Sequence, residues 1–177
     1  MKPPPCLPVI LLCLAATLRA ADDDVAAATR TRVGDPAPAV SGTAVTGETY
    51  TLAALHGKVV VLSLFATWCG PCNEEMPRME KELWLPYRAR GLVVLAAARE
   101  EGADKLRPFA AKLGLTFPLL PDPDRAIFSR FATAYIPRLY VIGADGRIKY
   151  QSMGYVPEEF QRAVAAVEQE LARAAGG

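Results

Sequence analysis

Lys58-Val59-Val60-Val61-Leu62-Ser63-Leu64-Phe65 runs directly into Ala66-Thr67-Trp68-Cys69-Gly70-Pro71-Cys72. The first part is a nearly continuous apolar run with three valines, which suits a buried central strand. The second part ends on two cysteines separated by Gly-Pro, and Asn73–Leu85 beyond them reads as a helix. Pro71 suits the first position of that helix. A thiol at Cys69 therefore faces unpaired backbone N–H groups and the positive end of a helix dipole, both of which favour thiolate. Thiolate is the attacking species in disulfide exchange. Cys72 lies one turn further along, in reach of a mixed disulfide on Cys69. The expected roles are Cys69 as nucleophile and Cys72 as resolving thiol. Two bland alternatives stand beside this. A structural disulfide closing so short a loop removes little unfolded-state entropy. Half of a zinc site lacks its other ligands: zinc takes four, or three and water, and the chain has His56 as its single histidine and no second cysteine pair in this region.

Outward from this stretch, strands and helices alternate. A hairpin is expected upstream, Val40–Ala44 with Tyr50–Leu52 about a turn near Gly47. Downstream come a second buried run, Leu92–Ala98, and a helix over Ala103–Leu113 with Leu106, Phe109, Ala110 and Leu113 on one face. A short strand at Phe117–Leu120 and a short helix at Asp124–Phe131 follow. Arg138–Ile142 and Arg147–Gln151 form a hairpin about Asp145-Gly146, a strong turn dipeptide. A last helix begins at Pro157 with acids in its first turn and buries Phe160, Val164, Val167 and Leu171. Pro86 is expected to end the active-site helix early. Pro77 lies inside that helix. Arg99-Glu100-Glu101 reads as a solvated loop, Trp84 and His56 as structural, and Met76 and Met79 as packing. The pattern is α/β: a central mixed sheet flanked by helices on both faces.

The start of the chain has a different character. Lys2 precedes an apolar run from Cys6 to Leu18, followed by small residues and Asp22-Asp23-Asp24. That order is a secretory signal over 1–20, too short to span a bilayer comfortably, which takes ~20 apolar residues. Leu18 is large for its place before the exit, so a retained anchor is the alternative. Residues 21–33 read as a linker and 34–175 as the domain. Among 177 residues, 51% are apolar and 22% charged, with a net charge of +1. Removing Lys2 and Arg19 with the signal brings the remainder to about −1, and no basic stripe suggests a nucleic-acid partner. Cys6 and Cys13 leave with the signal, so Cys69 and Cys72 are alone in an oxidising compartment, periplasmic or secreted.

The string Phe65–Cys72 closely resembles the active-site segment of thioredoxins. The resemblance runs from about Gly34 to Leu171. The leading signal, the Gly57-Lys58 pair before the central strand, the N-terminal hairpin and a central insertion over about Gly102–Phe131 resemble the TlpA/ResA-type extracytoplasmic thioredoxins. The resemblance implies a thioredoxin fold and a redox-active Cys69–Cys72 disulfide with no further cofactor and no metal. It implies a cis bond at Ile136-Pro137 beside the cysteines, offering backbone hydrogen bonds to a substrate; the alternative is an ordinary proline at a strand start. Trp68, Gly70 and Pro71 would complete the docking surface. Thioredoxins hold an aspartate six residues before the first cysteine, where this chain has Ser63. TlpA/ResA-type proteins hold a glutamate six residues after it, and Glu75 matches. A desolvated Glu75 would deprotonate Cys72; the alternative is a solvated surface acid, as expected of Glu74.

The function expected is thiol–disulfide exchange outside the cytoplasm, reducing protein disulfides, with cytochrome c maturation as one setting. The rival directions are disulfide oxidase and isomerase. A peroxidase of the peroxiredoxin type needs a peroxidatic cysteine setting before Cys69, and none is present. Copper handling by the cysteine pair and a thiol-independent binding module are further alternatives. The expected partners are protein disulfides and a membrane thiol donor, since no soluble pool supplies electrons in that compartment. The chain is expected to be a monomer.

Overall fold

A computed structural model describes residues 23–176; the signal expected over 1–20 lies outside the described residues. The apolar run after Lys58 forms strand β3 (Val60–Phe65), buried along its whole length. Its continuous apolar character follows from its place. A parallel neighbour, β4 (Val93–Arg99), lies on one side and an antiparallel one, β6 (Arg138–Ile142), on the other. β5 (Leu119–Asp122) and β7 (Ile148–Met153) complete a five-stranded mixed sheet in the order β5-β4-β3-β6-β7. A separate two-stranded hairpin, β1 (Ser41–Thr43) with β2 (Thr49–Thr51), precedes it.

Side chains alternate between the two faces of a strand, and the core divides accordingly. Val59, Val61 and Phe65 point to one face. There they pack with Cys72, Met76, Met79 and Leu83 of the active-site helix and with Phe160, Ala163, Val167 and Leu171 of the last helix. Val60, Leu62 and Leu64 point to the other, against Phe128, Phe131, Tyr140 and Ile148. Together they form a thioredoxin fold, with an N-terminal hairpin and an additional helix–strand–helix segment between Gly102 and Phe131.

Several boundaries differ from the expectation. Helix α1 (Gly70–Arg78) does not end before Pro86: it passes into a π-helical stretch, Met79–Trp84, and a final turn, Leu85–Tyr87. The amide of Leu85 bonds to the carbonyl of Glu80, five residues back. The wider turn brings the chain to Pro86, which has no N–H to bond. A 3-10 turn, Arg88–Arg90, and Gly91 at φ 91° then end the run. β5 starts two residues later than expected. Pro118 has no amide to give and contributes only its carbonyl, to the amide of Ala96 at 3.1 Å. Helix α2 (Ala103–Leu113) matches its expected bounds, but Leu106 is its single fully buried residue. Helix α3 shrinks to Phe128–Phe131, since Arg125 is held at φ 57° and Asp122 caps the amides of Ile127 and Phe128. The last helix, α4, spans Pro157–Gly176.

The stretch expected as a linker is tied to the domain over its described part. Residues 23–27 form a short helical turn. Arg30 then donates to the carbonyl of Phe131 at 2.9 Å, and Thr133 to that of Ala28 at 2.9 Å. Ala28 and Thr31 are buried. A stretch of small residues with no apolar period still pairs through its backbone, a contact that composition does not register.

Candidate active site

Cys69 stands at the N-cap of α1 with extended backbone (φ −83°, ψ 115°), and Pro71 occupies the first turn. Its Sγ accepts the amide of Cys72 at 3.3 Å, so the sulfur is held by a donor the helix leaves unpaired. Cys69 and Cys72 form a disulfide with Cα atoms 5.2 Å apart. The two sulfurs are not equivalent in their surroundings: Cys72 is 0% exposed, whereas Cys69 is 6% exposed and flanked by exposed Gly70, Pro71 and Trp68, the last at 64%.

The peptide bond Ile136–Pro137 is cis. Arg138 pairs with Leu64 across β3 and β6, which brings Ile136 and Pro137 to the sheet end where β3 leads to Cys69. Ile136 is half-buried and Pro137 buried. The Pro137 carbonyl accepts from the amide of Gly154 at 2.8 Å.

Glu75 lies on the inner face of α1, one turn beyond Cys72, and is 2% exposed. Buried Ser63 donates to its carboxylate at 3.3 Å. Burial pushes the Glu75 carboxyl up to about 8, and the Ser63 hydroxyl offsets part of that rise. Glu74, its neighbour, is exposed.

Two residues at this end of the sheet escaped the sequence reading. Glu101, expected on a solvated loop, is 2% exposed. It accepts from both the amide of Thr67, at 2.7 Å, and the hydroxyl of Thr67, at 2.6 Å. Asn73 donates to the Thr67 carbonyl at 3.3 Å. Thr67, two residues before Cys69, is thus fixed from the loop after β4 and from the helix. No local pattern marks Glu101, because its partner lies 34 residues away. The second is Arg138, 2% exposed, directly after Pro137. Among the described residues, no cluster of three or more His, Cys, Asp or Glu is placed to hold a metal.

A cysteine pair at a helix N-terminus, an exposed tryptophan before it and a cis-proline loop at the same sheet end define a thioredoxin-fold thiol–disulfide oxidoreductase. The model of the AhpC/TSA family matches residues 33–151, and the chain belongs to that family. It is similar to the thiol–disulfide oxidoreductase ResA of Geobacillus kaustophilus, with 32% identity over 131 residues, 74% of this chain and 75% of that protein. Among solved structures, it resembles a Bacteroides thetaiotaomicron protein described as a candidate protein disulfide isomerase. That match has a TM-score of 0.78 and 35% identity, and covers 81% of this chain and 92% of that one. A secreted Mycobacterium tuberculosis disulfide oxidoreductase matches with a TM-score of 0.59 and 25% identity over 72% of this chain and 95% of that one. Oxidoreductases of this class carry their reaction on a redox-active cysteine pair.

Proposed function

We propose that the protein reduces protein disulfides outside the cytoplasm, with Cys69 attacking and Cys72 resolving. The observation that carries this is the asymmetry of the pair: one sulfur at the rim of the site on a helix N-cap, the other enclosed. Cys69 thiolate attacks one sulfur of the substrate, forming a mixed disulfide and releasing the other as thiolate. Cys72, deprotonated, attacks Sγ of Cys69, closing the intramolecular disulfide and releasing the second substrate thiol. Two electrons pass from the pair to the substrate. Glu75 takes the Cys72 proton: burial raises its carboxyl to about 8, far enough above an ordinary carboxylate for it to serve as a base to a thiol. Trp68, Gly70, Pro71, Ile136 and Pro137 form the docking surface. A membrane thiol donor restores the dithiol, residues 1–20 direct export or anchor the monomeric chain, and an apocytochrome c disulfide is one substrate of suitable chemistry.

Cys72→Ala accumulates a mixed disulfide on Cys69 when challenged with an oxidised protein substrate, and Cys69→Ser accumulates none. Alkylation of the reduced protein that labels Cys72 first overturns the assignment. Direction is read by titrating the pair against glutathione. A potential nearer the ~−270 mV of thioredoxin than the ~−120 mV of strong oxidants supports the reductant. The likeness to the Bacteroides protein favours isomerisation as a second reading, for which a potential near −180 mV and recovery of scrambled ribonuclease are the expected results.

A further inference from the structure

Arg138 is a buried cation with no carboxylate paired to it among the described residues. A buried charge is costly unless its hydrogen bonds are met, so the groups that meet them indicate what the residue holds. Its Nε donates to two backbone carbonyls at once, Ala134 at 3.0 Å and Tyr135 at 3.1 Å. Its Nη1 donates to the hydroxyl of Thr29 at 2.9 Å, on the N-terminal arm formed by residues 23–35. Nη2 and the neighbouring Tyr140 hydroxyl are buried with no hydrogen-bond partner among the described residues. The two carbonyls belong to the residues immediately before Ile136 and Pro137. Tyr135 sits at φ 65°, a conformation that bulky L residues avoid and that surrounding contacts must impose. The residue stays 45% exposed. The guanidinium draws the carbonyls inward, while the Tyr135 ring and the Ile136 segment remain at the surface beside the cysteines.

We propose that Arg138 is a positioning residue for substrate docking: its guanidinium clamps the Ala134–Tyr135 turn, setting the Ile136–Pro137 segment in its docking geometry. This rests on the reading of that segment as a docking surface. Arg138 touches neither sulfur, so it governs how a protein substrate is held rather than the chemistry of the pair. The planar fork is what spans two carbonyls and the arm; a lysine is a point charge and reproduces only part of it.

The test uses the full chain with dithiothreitol as electron donor and insulin as the protein disulfide. Arg138→Met is expected to raise the KM for insulin fivefold or more. Its rate of reduction by dithiothreitol and its equilibrium with glutathione stay within twofold of the wild type. Arg138→Lys gives an intermediate KM. Thr29→Val, which removes only the arm contact, changes KM less than twofold. An unchanged insulin KM in Arg138→Lys and Arg138→Met overturns the proposal, and Arg138→Lys alone decides it if Arg138→Met does not fold. A KM rise matched by an equal loss of dithiothreitol exchange assigns Arg138 to the general integrity of the site and overturns it too. A rise as large in Thr29→Val as in Arg138→Lys places the effect on the arm and overturns the clamp. A wild-type protein that accepts electrons from dithiothreitol and passes none to insulin overturns the functional reading and the clamp together; equal KM values overturn the clamp alone.

Discussion

Glu75 is the residue whose burial has the clearest consequences. A carboxyl held at about 8, against an ordinary 4.5, binds its proton more tightly in the folded chain than in the unfolded one. The stability this contributes is complete below about pH 4.5. It is lost as pH rises towards 8, because the unfolded chain ionises first. Glu75→Gln keeps the shape and cannot ionise. Its stability relative to the wild type is therefore expected to be near zero at about pH 3.5 and to grow to roughly a few kcal/mol by about pH 9, read by denaturant melts at each pH. The same variant is expected to slow resolution by Cys72 about 10²-fold and to flatten its rise between pH 6 and 9, read in single-turnover exchange. A wild-type-like pH profile would return Glu75 to a packing role. Glu101 answers a different question, since it holds the chain ahead of Cys69. Glu101→Ala leaves the amide and hydroxyl of Thr67 without their acceptor. Thr67 is half-buried, so water recovers part of the loss. The expected cost is about 1 kcal/mol, with faster alkylation of Cys69 in the reduced protein as the Thr67-Trp68 segment loosens.

At the scale of elements, the active-site helix is a composite whose joints are set by specific residues. Pro77 lies inside α1 and Pro86 in its last turn. Between them the π stretch is held by Glu80, buried, which accepts the amide of Thr116 at 2.8 Å together with its hydroxyl. Trp84 donates in turn to the Thr116 hydroxyl at 2.9 Å. The run stops at Gly91, whose φ of 91° is left-handed and favours glycine. Gly91→Ala is expected to destabilise by about 1–2 kcal/mol while leaving the redox potential of the distant cysteines unchanged. A shift in potential as large as the loss of stability would mean that strain at the helix end reaches the N-cap.

Across the whole molecule, the N-terminal arm connects parts that are remote in sequence. It pairs with residues 131–133 through backbone hydrogen bonds, bonds to Gln151 of β7 through Thr31, and meets Ile148 through Gly34 and Asp35. β7 is the last strand of the sheet, and an uncovered edge invites pairing with other chains. Removing residues 1–33 strips the Thr31 contacts from Gln151 of β7, deletes the buried contacts of Ala28 and Thr31, and removes the Thr29 hydroxyl that accepts from Arg138. The shortened chain is expected to keep the disulfide and its chemistry with dithiothreitol. It should also melt several degrees lower and associate more readily at high concentration, as light scattering would report. Equal melting and scattering would show the arm to be dispensable.

By itself, the sequence determined the elements whose physics is local or periodic. The unbroken apolar run before Cys69 marks a strand buried on both faces. Cys69 and Pro71 mark a helix start, Asp145-Gly146 marks a hairpin, and the stripe through Phe160, Val167 and Leu171 marks the last helix. The roles proposed for Cys69 and Cys72, nucleophile and resolving thiol, rest on position along one helix turn, which is legible without coordinates. Glu75 was legible only in part: its spacing places it beside Cys72, but desolvation depends on what the sheet and Ser63 bring against it. Only the tertiary structure decided that Glu101 reaches back to Thr67, that Arg138 holds the carbonyls of Ala134 and Tyr135 and the hydroxyl of Thr29, and that the small-residue stretch after position 23 is part of the domain. The reason is common to all three. A polar group's burial is set by partners as far as 109 residues away, and hydrogen bonds to backbone atoms leave no mark in the identities of the residues that supply them.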